Sequence, residues 1–207
     1  MRLHHKAVHH LLFLIALCTI LGIRVDAETP PAADVNRALP STELQARVDS
    51  LAARIASAAG EGAYVVIDRT HNVLELRQGG RVLQRSACAT GSGLVLLGDR
   101  QKSWMFETPR GLFRIQRKVT DPIWAKPEWA FVEVGEEAPV LPWMFNRLDQ
   151  TTLGDYALEL GDGYEIHGTL YPALLGRNIT HGCVRLNDED LEALHSATAV
   201  GTPVIIY

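Results

Sequence analysis

The sequence predicts a mainly β domain with a few helices, led by one N-terminal helix. Three observations carry that reading. From Gly62 onward, short runs rich in Val, Ile, Leu and Tyr alternate with turn residues, which is the texture of strands. Only residues 41–59 and the stretch after Asn187 set apolar side chains at helical spacing. No internal repeat or low-complexity tract follows the first 27 residues.

Those first residues read as an export signal. Arg2 and Lys6 give a positive start, Leu11 to Ile23 is an apolar run of thirteen residues, and Val25-Asp26-Ala27 suits cleavage. The run is short for a membrane span, which needs ~20 apolar residues. An uncleaved anchor is the alternative. Cys18 follows Leu17, too large for a lipid-attachment signal, and reads as a passenger of the run. The expectation is a signal at 1–27, a linker and helix at 28–61 and a catalytic domain at 62–207, exported to the periplasm or cell envelope. Removing the signal leaves 180 residues, enough for one domain with a substantial core. The signal takes Arg2, Lys6, Arg24 and Asp26 with it, leaving 17 basic against 23 acidic residues. That balance offers no footprint for nucleic acid and no polybasic membrane patch.

Glu28 to Leu39 is rich in Ala, Pro and small polar residues and reads as a linker. Leu44, Val48, Leu51 and Ile55 then recur at helical spacing, Thr42 with Gln45 suits a capping box, and Gly60 and Gly62 stop the helix. It is expected to pack outside the following domain and carries no chemistry. Strands are expected at Tyr64–Ile67, Asn72–Arg77, Val82–Cys88, Gly111–Arg117, Tyr156–Leu160, Tyr164–His167 and Pro203–Tyr207. A late helix starts at Asn187 or Asp188, turns Leu191 and Leu194 inward, and ends before Gly201. Residues 120–150 differ, holding Trp124, Trp129, Phe131, Trp143, Met144 and Phe145 with four prolines at no clear period. These aromatics either fill the core or form a wall or lid over a cleft.

The chemistry concentrates in IHGTLYPALLGRNITHGCVRL, residues 166–186. His167 ends an expected strand and precedes Gly168, which suits a ring projecting into a cleft. Cys183 lies sixteen residues on, between Gly182 and Val184. A thiol is a weak nucleophile at neutral pH unless a neighbouring imidazole takes its proton and leaves a thiolate–imidazolium pair. Gly182 permits close backbone approach, and the N–H groups of Gly182 and Cys183 suit an oxyanion. Arg185, two residues past Cys183 and on the same side of a strand, suits a substrate carboxylate. Each residue alone has a blander reading: a core cysteine, a structural histidine, a surface arginine. Zinc held by His167, His181 and Cys183 lacks a recognised spacing and a carboxylate partner. Cys88 and Cys183 are the cysteines left after the signal; either they pair, or at least one stays free because its thiol is used. An inhibitory Cys88–Cys183 disulfide under oxidation is a further expectation.

The segment resembles the catalytic signature of the L,D-transpeptidase family (the YkuD domain). His167-Gly168-Thr169 is followed, after a spacer, by Thr180-His181-Gly182-Cys183-Val184-Arg185. The resemblance extends over about residues 62–207. Tyr64 to Gly91 is similar to the family's opening strands, Thr108-Pro109-Arg110-Gly111 before Phe113 to its turn, and Gly201-Thr202-Pro203-Val204 to its closing strand. Thr180 stands where Ser is commoner, and both keep a hydroxyl. The interval 93–108 and the aromatic insertion are less standard, so the substrate-binding walls stay open.

The resemblance implies a β-sandwich-like catalytic domain needing no metal or organic cofactor. It makes Cys183 the nucleophile, His167 the base, the Gly168 carbonyl its orienting partner, and His181, Thr169 and Arg185 the substrate side. Peptidoglycan stem peptides are the implied substrates. The bond between diaminopimelate and terminal D-alanine is cleaved through a thioester, and the acyl group passes to an amine. That acceptor is a second stem (a 3→3 cross-link), a lysine of a lipoprotein or outer-membrane protein, or a D-amino acid. A monomer is expected. A carboxypeptidase or amide hydrolase on the same scaffold is the alternative, and a non-catalytic wall-binding module a third.

Overall fold

The computed structural model describes residues 41–141 and 144–207, so the expected signal, the linker and Trp143 lie outside the described residues. Residues 46–207 form one compact unit; of the segment before it, residues 41–45 belong to the start of helix α1 (Ser41–Ala59). The helix begins one residue before Thr42, which therefore lies inside its first turn rather than at its cap. Leu51 on this helix is exposed and Ile55 half-buried.

The expected strand texture resolves into two main sheets. In the first, β1 (Ala63–Asp68), β2 (Val73–Gln78) and β3 (Arg81–Ala87) form an antiparallel meander. The C-terminal strand β15 (Pro203–Ile206) pairs parallel with β1, and β7 (Gly111–Arg114) pairs antiparallel with β15. The strand order is β3-β2-β1-β15-β7. In the second sheet β8 (Arg117–Thr120), β11 (Tyr156–Gly161), β12 (Tyr164–His167) and β14 (Val184–Arg185) lie in the order β14-β12-β11-β8.

The single strand expected at Gly111–Arg117 is two strands in different sheets. The break falls at Ile115 and Gln116, whose consecutive amides bond in opposite directions: Ile115 N–H to Thr202 O at 3.0 Å, Gln116 N–H to Glu159 O at 2.7 Å. Ile115 is buried at this corner. Alternation alone cannot reveal such a corner, because the period of two continues through it.

Side chains from the two sheets meet in one core. Val65, Ile67, Leu74, Leu76, Val204 and Ile206 come from the first sheet, and Leu158, Leu160, Ile166 and Val184 from the second. Each such side chain contributes roughly 1.5–3 kcal/mol by leaving water. Helix α2 (Glu128–Val132) belongs to the insertion, whereas α3 (Asp188–Ala197) supplies Leu191 and Leu194 to the core. Asn187 is the cap of α3: its Oδ1 accepts from Asp190 N–H at 2.8 Å, and its Nδ2 donates to Asp190 Oδ2 at 2.6 Å.

Three short ladders complete the fold. β4 (Thr90–Gly91) pairs parallel with β13 (Asn178–Thr180), and β5 (Val95–Leu97) pairs antiparallel with β6 (Ser103–Met105). β9 (Trp124–Ala125) and β10 (Leu148–Asp149) close the base of the aromatic insertion. Its aromatics stand apart from the main core. Phe131 is buried locally, Trp124 and Trp129 are half-buried, and Met144 and Phe145 are exposed. Among the described residues no helix is long and apolar enough to cross a membrane.

Candidate active site

The parallel pairing of β12 with β14 builds the site. Its register sets Ile166 opposite Val184 and His167 opposite Arg185. Ile166 and Val184 point into the core, so the alternating residues Glu165, His167, Cys183 and Arg185 share the other face. Leu186 N–H donates to His167 O at 2.9 Å and carries the pairing to the next residue. Four chemically active side chains are thereby gathered from two short segments.

Cys183 enters this face from a tightly bonded loop. Thr180 Oγ1 donates to Cys183 O at 2.6 Å and accepts from Gly182 N–H at 3.1 Å. Thr108, itself buried, donates from Oγ1 to Gly182 O at 2.8 Å and accepts from Gly91 N–H at 2.8 Å. Arg69 secures that neighbour in turn, donating to Thr108 O and, at 2.8 Å, to Glu107 Oε1. Gly182 has φ +130°, and a Cβ there would lie 3.0 Å from Tyr164 Cε1 and 3.3 Å from Glu107 O. Only glycine fits. The Gly182 amide, expected to face an oxyanion, is engaged within its own loop.

His167 ends β12 and is almost fully buried. Gly168 after it is wedged: its N–H donates to Leu153 O at 2.7 Å, and a Cβ would meet Leu153 O at 3.0 Å and Gly154 Cα at 3.1 Å. The Gly168 backbone favours the charged imidazole, yet Nδ1 is buried without a partner of full hydrogen-bond geometry. Thr169, expected on the substrate side, is buried; its Oγ1 accepts from Tyr171 N–H at 3.1 Å and shapes the following turn.

Burial governs the protonation of the pair. It pushes the Cys183 thiol up to about 11, reinforced by the Glu165 carboxylate and opposed by the Glu165 amide and by Arg185. It pushes the His167 imidazole down to about 3, reinforced by the Arg185 guanidinium and opposed by the Gly168 backbone. Both directions favour the uncharged forms of the thiol and the imidazole over the expected thiolate–imidazolium pair. In each case burial is the largest cause and the opposing groups offset it only in part. The Cys183 Sγ–H points at Gly163 O, 3.8 Å away. Arg185 has a buried Nε without a partner.

His181 connects the loop of Cys183 to the aromatic insertion. Its ring stacks on Trp129 with centroids 4.2 Å apart and planes 18° apart, and meets the edge of Phe106 at 4.4 Å. Its Nε2 pairs with Glu133 Oε2 at 2.9 Å, just past α2. Part of the insertion is therefore a wall seated on the loop of Cys183, and Trp124 extends it through a 5.9 Å contact with Trp129. Thr108, Glu133 and Glu165 escaped the sequence reading. The turn around Thr108 was noticed, but its hydroxyl's partner lies 74 residues away.

Cys88 has no part in this face. It is fully buried in the core, its thiol is pushed up to about 12 chiefly by burial, and both cysteines are free. Val184 points towards that same core while Cys183 does not, so the expected Cys88–Cys183 disulfide has no support in the structure. Among the described residues, no three His, Cys, Asp or Glu side chains are placed to hold a metal.

The chain is 34% identical over 101 residues to the probable L,D-transpeptidase ErfK/SrfK of Salmonella typhimurium, covering 48% of this chain and 33% of that protein. It is 34% identical over 91 residues to the probable L,D-transpeptidase YbiS of Escherichia coli, covering 44% and 30%. The matches thus span about a third of the length of these curated relatives. In fold, the chain is similar to the crystal structure of an L,D-transpeptidase from Xylanimonas cellulosilytica (TM-score 0.51, 22% identity, 71% of this chain and 61% of that one). It is similar also to the catalytic domain of the E. faecium L,D-transpeptidase (TM-score 0.51, 17% identity, 71% and 98%). The family model of the L,D-transpeptidase catalytic domain, YkuD, matches residues 62–206, and the chain belongs to that family.

Proposed function

We propose that this protein is an exported peptidoglycan L,D-transpeptidase that acts through a Cys183 thioester in the periplasm or cell envelope, as a monomer. The observation that carries the proposal is the common face of β12 and β14, where His167, Cys183 and Arg185 converge. The substrate is a tetrapeptide stem. Its scissile carbonyl, between diaminopimelate and D-alanine, meets the Cys183 sulfur while His167 takes the thiol proton. Burial favours the uncharged form of each group, so that transfer accompanies attack instead of preceding it. The Cys183 amide faces the developing oxyanion, and the Gly182 amide joins it by exchanging its Thr180 partner. Arg185 receives a stem carboxylate. His181 holds the loop against the insertion, and Thr169 fixes the turn after the base.

D-alanine leaves with the proton from His167, and an amine then resolves the thioester. Its source is a second stem, giving a 3→3 cross-link, or a lysine of an envelope protein. The chain and its Cys183→Ala variant are incubated with disaccharide-tetrapeptide and the products weighed by mass spectrometry. A 3→3 dimer with free D-alanine, from the wild type alone, is the expected result. Tripeptide monomer without dimer overturns it in favour of the hydrolase, and no covalent adduct on Cys183 overturns the thioester.

A further inference from the structure

Glu165 shares the face of His167 and Cys183, two residues before the proposed base. The backbone leading to it cradles the thiol: Sγ lies 3.8 Å from Gly163 O, and the Glu165 amide acts on the sulfur from the same strand. Its carboxylate is half-buried and, among the described residues, has no hydrogen bond and no ion pair. The guanidinium that acts on it, Arg117, is already engaged. Glu159 sits directly opposite Glu165 in the β11–β12 ladder and holds Arg117 through two bonds, Nε to Oε2 at 3.0 Å and Nη2 to Oε1 at 2.5 Å. Two carboxylates therefore stand side by side, with one guanidinium bound to Glu159. Arg117 offsets this only at a distance, and a half-buried carboxylate beside a like charge is costly unless a cation pairs with it directly.

The proposed reaction brings such a cation. An alkylamine has a pKa of ~10.4 and reaches the site as an ammonium at neutral pH. We infer that Glu165 is the carboxylate that receives the ammonium of the acyl acceptor beside the Cys183 thioester, and thereby favours aminolysis over hydrolysis. The inference rests on the transpeptidase reading and names the residue that selects its second substrate. The ammonium passes one proton to Glu165, which releases it to solvent. The free amine forms the C–N bond and passes a second proton to His167. His167 returns that proton to sulfur as the C–S bond breaks, leaving an amide and the thiol. Burial, and next to it Glu159, already raises the Glu165 carboxyl above its ordinary range, in the direction a proton acceptor requires.

The test compares two nucleophiles on one acyl-enzyme. Wild type and Glu165→Gln are acylated with tetrapeptide and offered Nα-acetyl-lysine, whose side chain is cationic, or hydroxylamine, which is uncharged at neutral pH. Glu165→Gln is expected to raise KM for Nα-acetyl-lysine roughly tenfold, the worth of one charge-assisted contact, and to release more tripeptide by hydrolysis. Transfer to hydroxylamine is expected to persist, which a merely structural defect would not allow. Glu165→Asp is expected to fall between. In the wild type, added salt is expected to raise KM for Nα-acetyl-lysine and not for hydroxylamine. Equal selectivity of wild type and Glu165→Gln overturns the inference while the thioester reading stands. If the variant fails to acylate, the wild-type salt series decides, and equal salt response of the two nucleophiles overturns the inference. Absence of an acyl-enzyme in the wild type overturns the transpeptidase reading itself.

Discussion

The hydroxyl of Thr108 donates to the carbonyl of Gly182 across 2.8 Å, so a turn 74 residues earlier in the chain holds the peptide unit next to Cys183. Both ends are buried, and the same oxygen accepts from Gly91. Thr108→Val removes the donor and the acceptor at once and strands two backbone groups. The expected cost is about 2 kcal/mol of stability, with a larger proportional loss of activity because the nucleophile loop loses its anchor. Thr108→Ser, which keeps the hydroxyl, is expected to retain most of both. Urea unfolding and product formation on the same samples check the pair.

Acid is expected to destabilise the protein through His167. Its folded pKa lies below the unfolded value of about 6.5, so the unfolded chain binds the extra proton first. Stability is full above pH ~6.5 and declines as pH falls from there towards about 3. His167→Gln, which cannot take that proton, is expected to flatten the decline. Urea midpoints between neutral pH and pH 4 decide it; parallel slopes for the two proteins would contradict a buried neutral imidazole.

Alkylation of Cys183 reports the other half of the pair. A thiol pushed up to about 11 is expected to react slowly with iodoacetamide at pH 7, its rate rising about tenfold per pH unit through pH 9. A rate flat between pH 5 and 8 would reveal a preformed thiolate. Cys88, buried in the core, is expected to react only on unfolding.

Trp129 and Glu133 are expected to matter to turnover although neither lies on the face of Cys183. Trp129→Ala deletes the ring on which His181 stacks and the contacts to Phe106 and Trp124. Aromatic pairs of this kind contribute ~0.5–1.5 kcal/mol each beyond area burial. Glu133→Gln keeps the shape and removes the charge facing His181 Nε2. Activity is expected to fall in the order wild type, Glu133→Gln, Trp129→Ala, with thermal stability moving little in the Glu133 variant.

Gly182→Ala is expected to be inactive. A methyl group would meet Tyr164 at 3.0 Å on a backbone at φ +130°. Relieving the contact with Tyr164→Ala in the same chain is not expected to restore activity, because the φ penalty and the Glu107 carbonyl at 3.3 Å remain. Full rescue would show that ring contact alone forbids the methyl.

Period-two alternation and turn residues made the long strands legible, and Tyr164–His167 agrees with its expected bounds residue for residue. The helix after Asn187 was legible for the same local reason: a cap, an acidic first turn and two inward leucines. The two-residue strands β4, β9 and β10 were not, because they exist only through partners elsewhere in the chain. At the site, spacing and chemistry pointed to Cys183, His167 and Arg185, which share a face. Glu165 carried no local signal, since one acidic residue in a strand reads as solvated until Glu159 and Cys183 are seen beside it. The charge state of the pair was also hidden, because burial is a property of the assembled sheets.

The parallel ladder between β12 and β14 has a consequence for biogenesis. Its two strands cannot fold back on each other as a hairpin; residues 168–183 must cross over, and their β13 rests on Thr90 and Gly91 while Arg185 bridges Ala89. These contacts span almost a hundred residues, so loop-closure entropy places them late in assembly. A chain still emerging, or only partly folded, lacks the contacts that hold the crossover in register. The face that carries Cys183 is complete only when the crossover has docked on residues 89–91, from the middle third of the polypeptide.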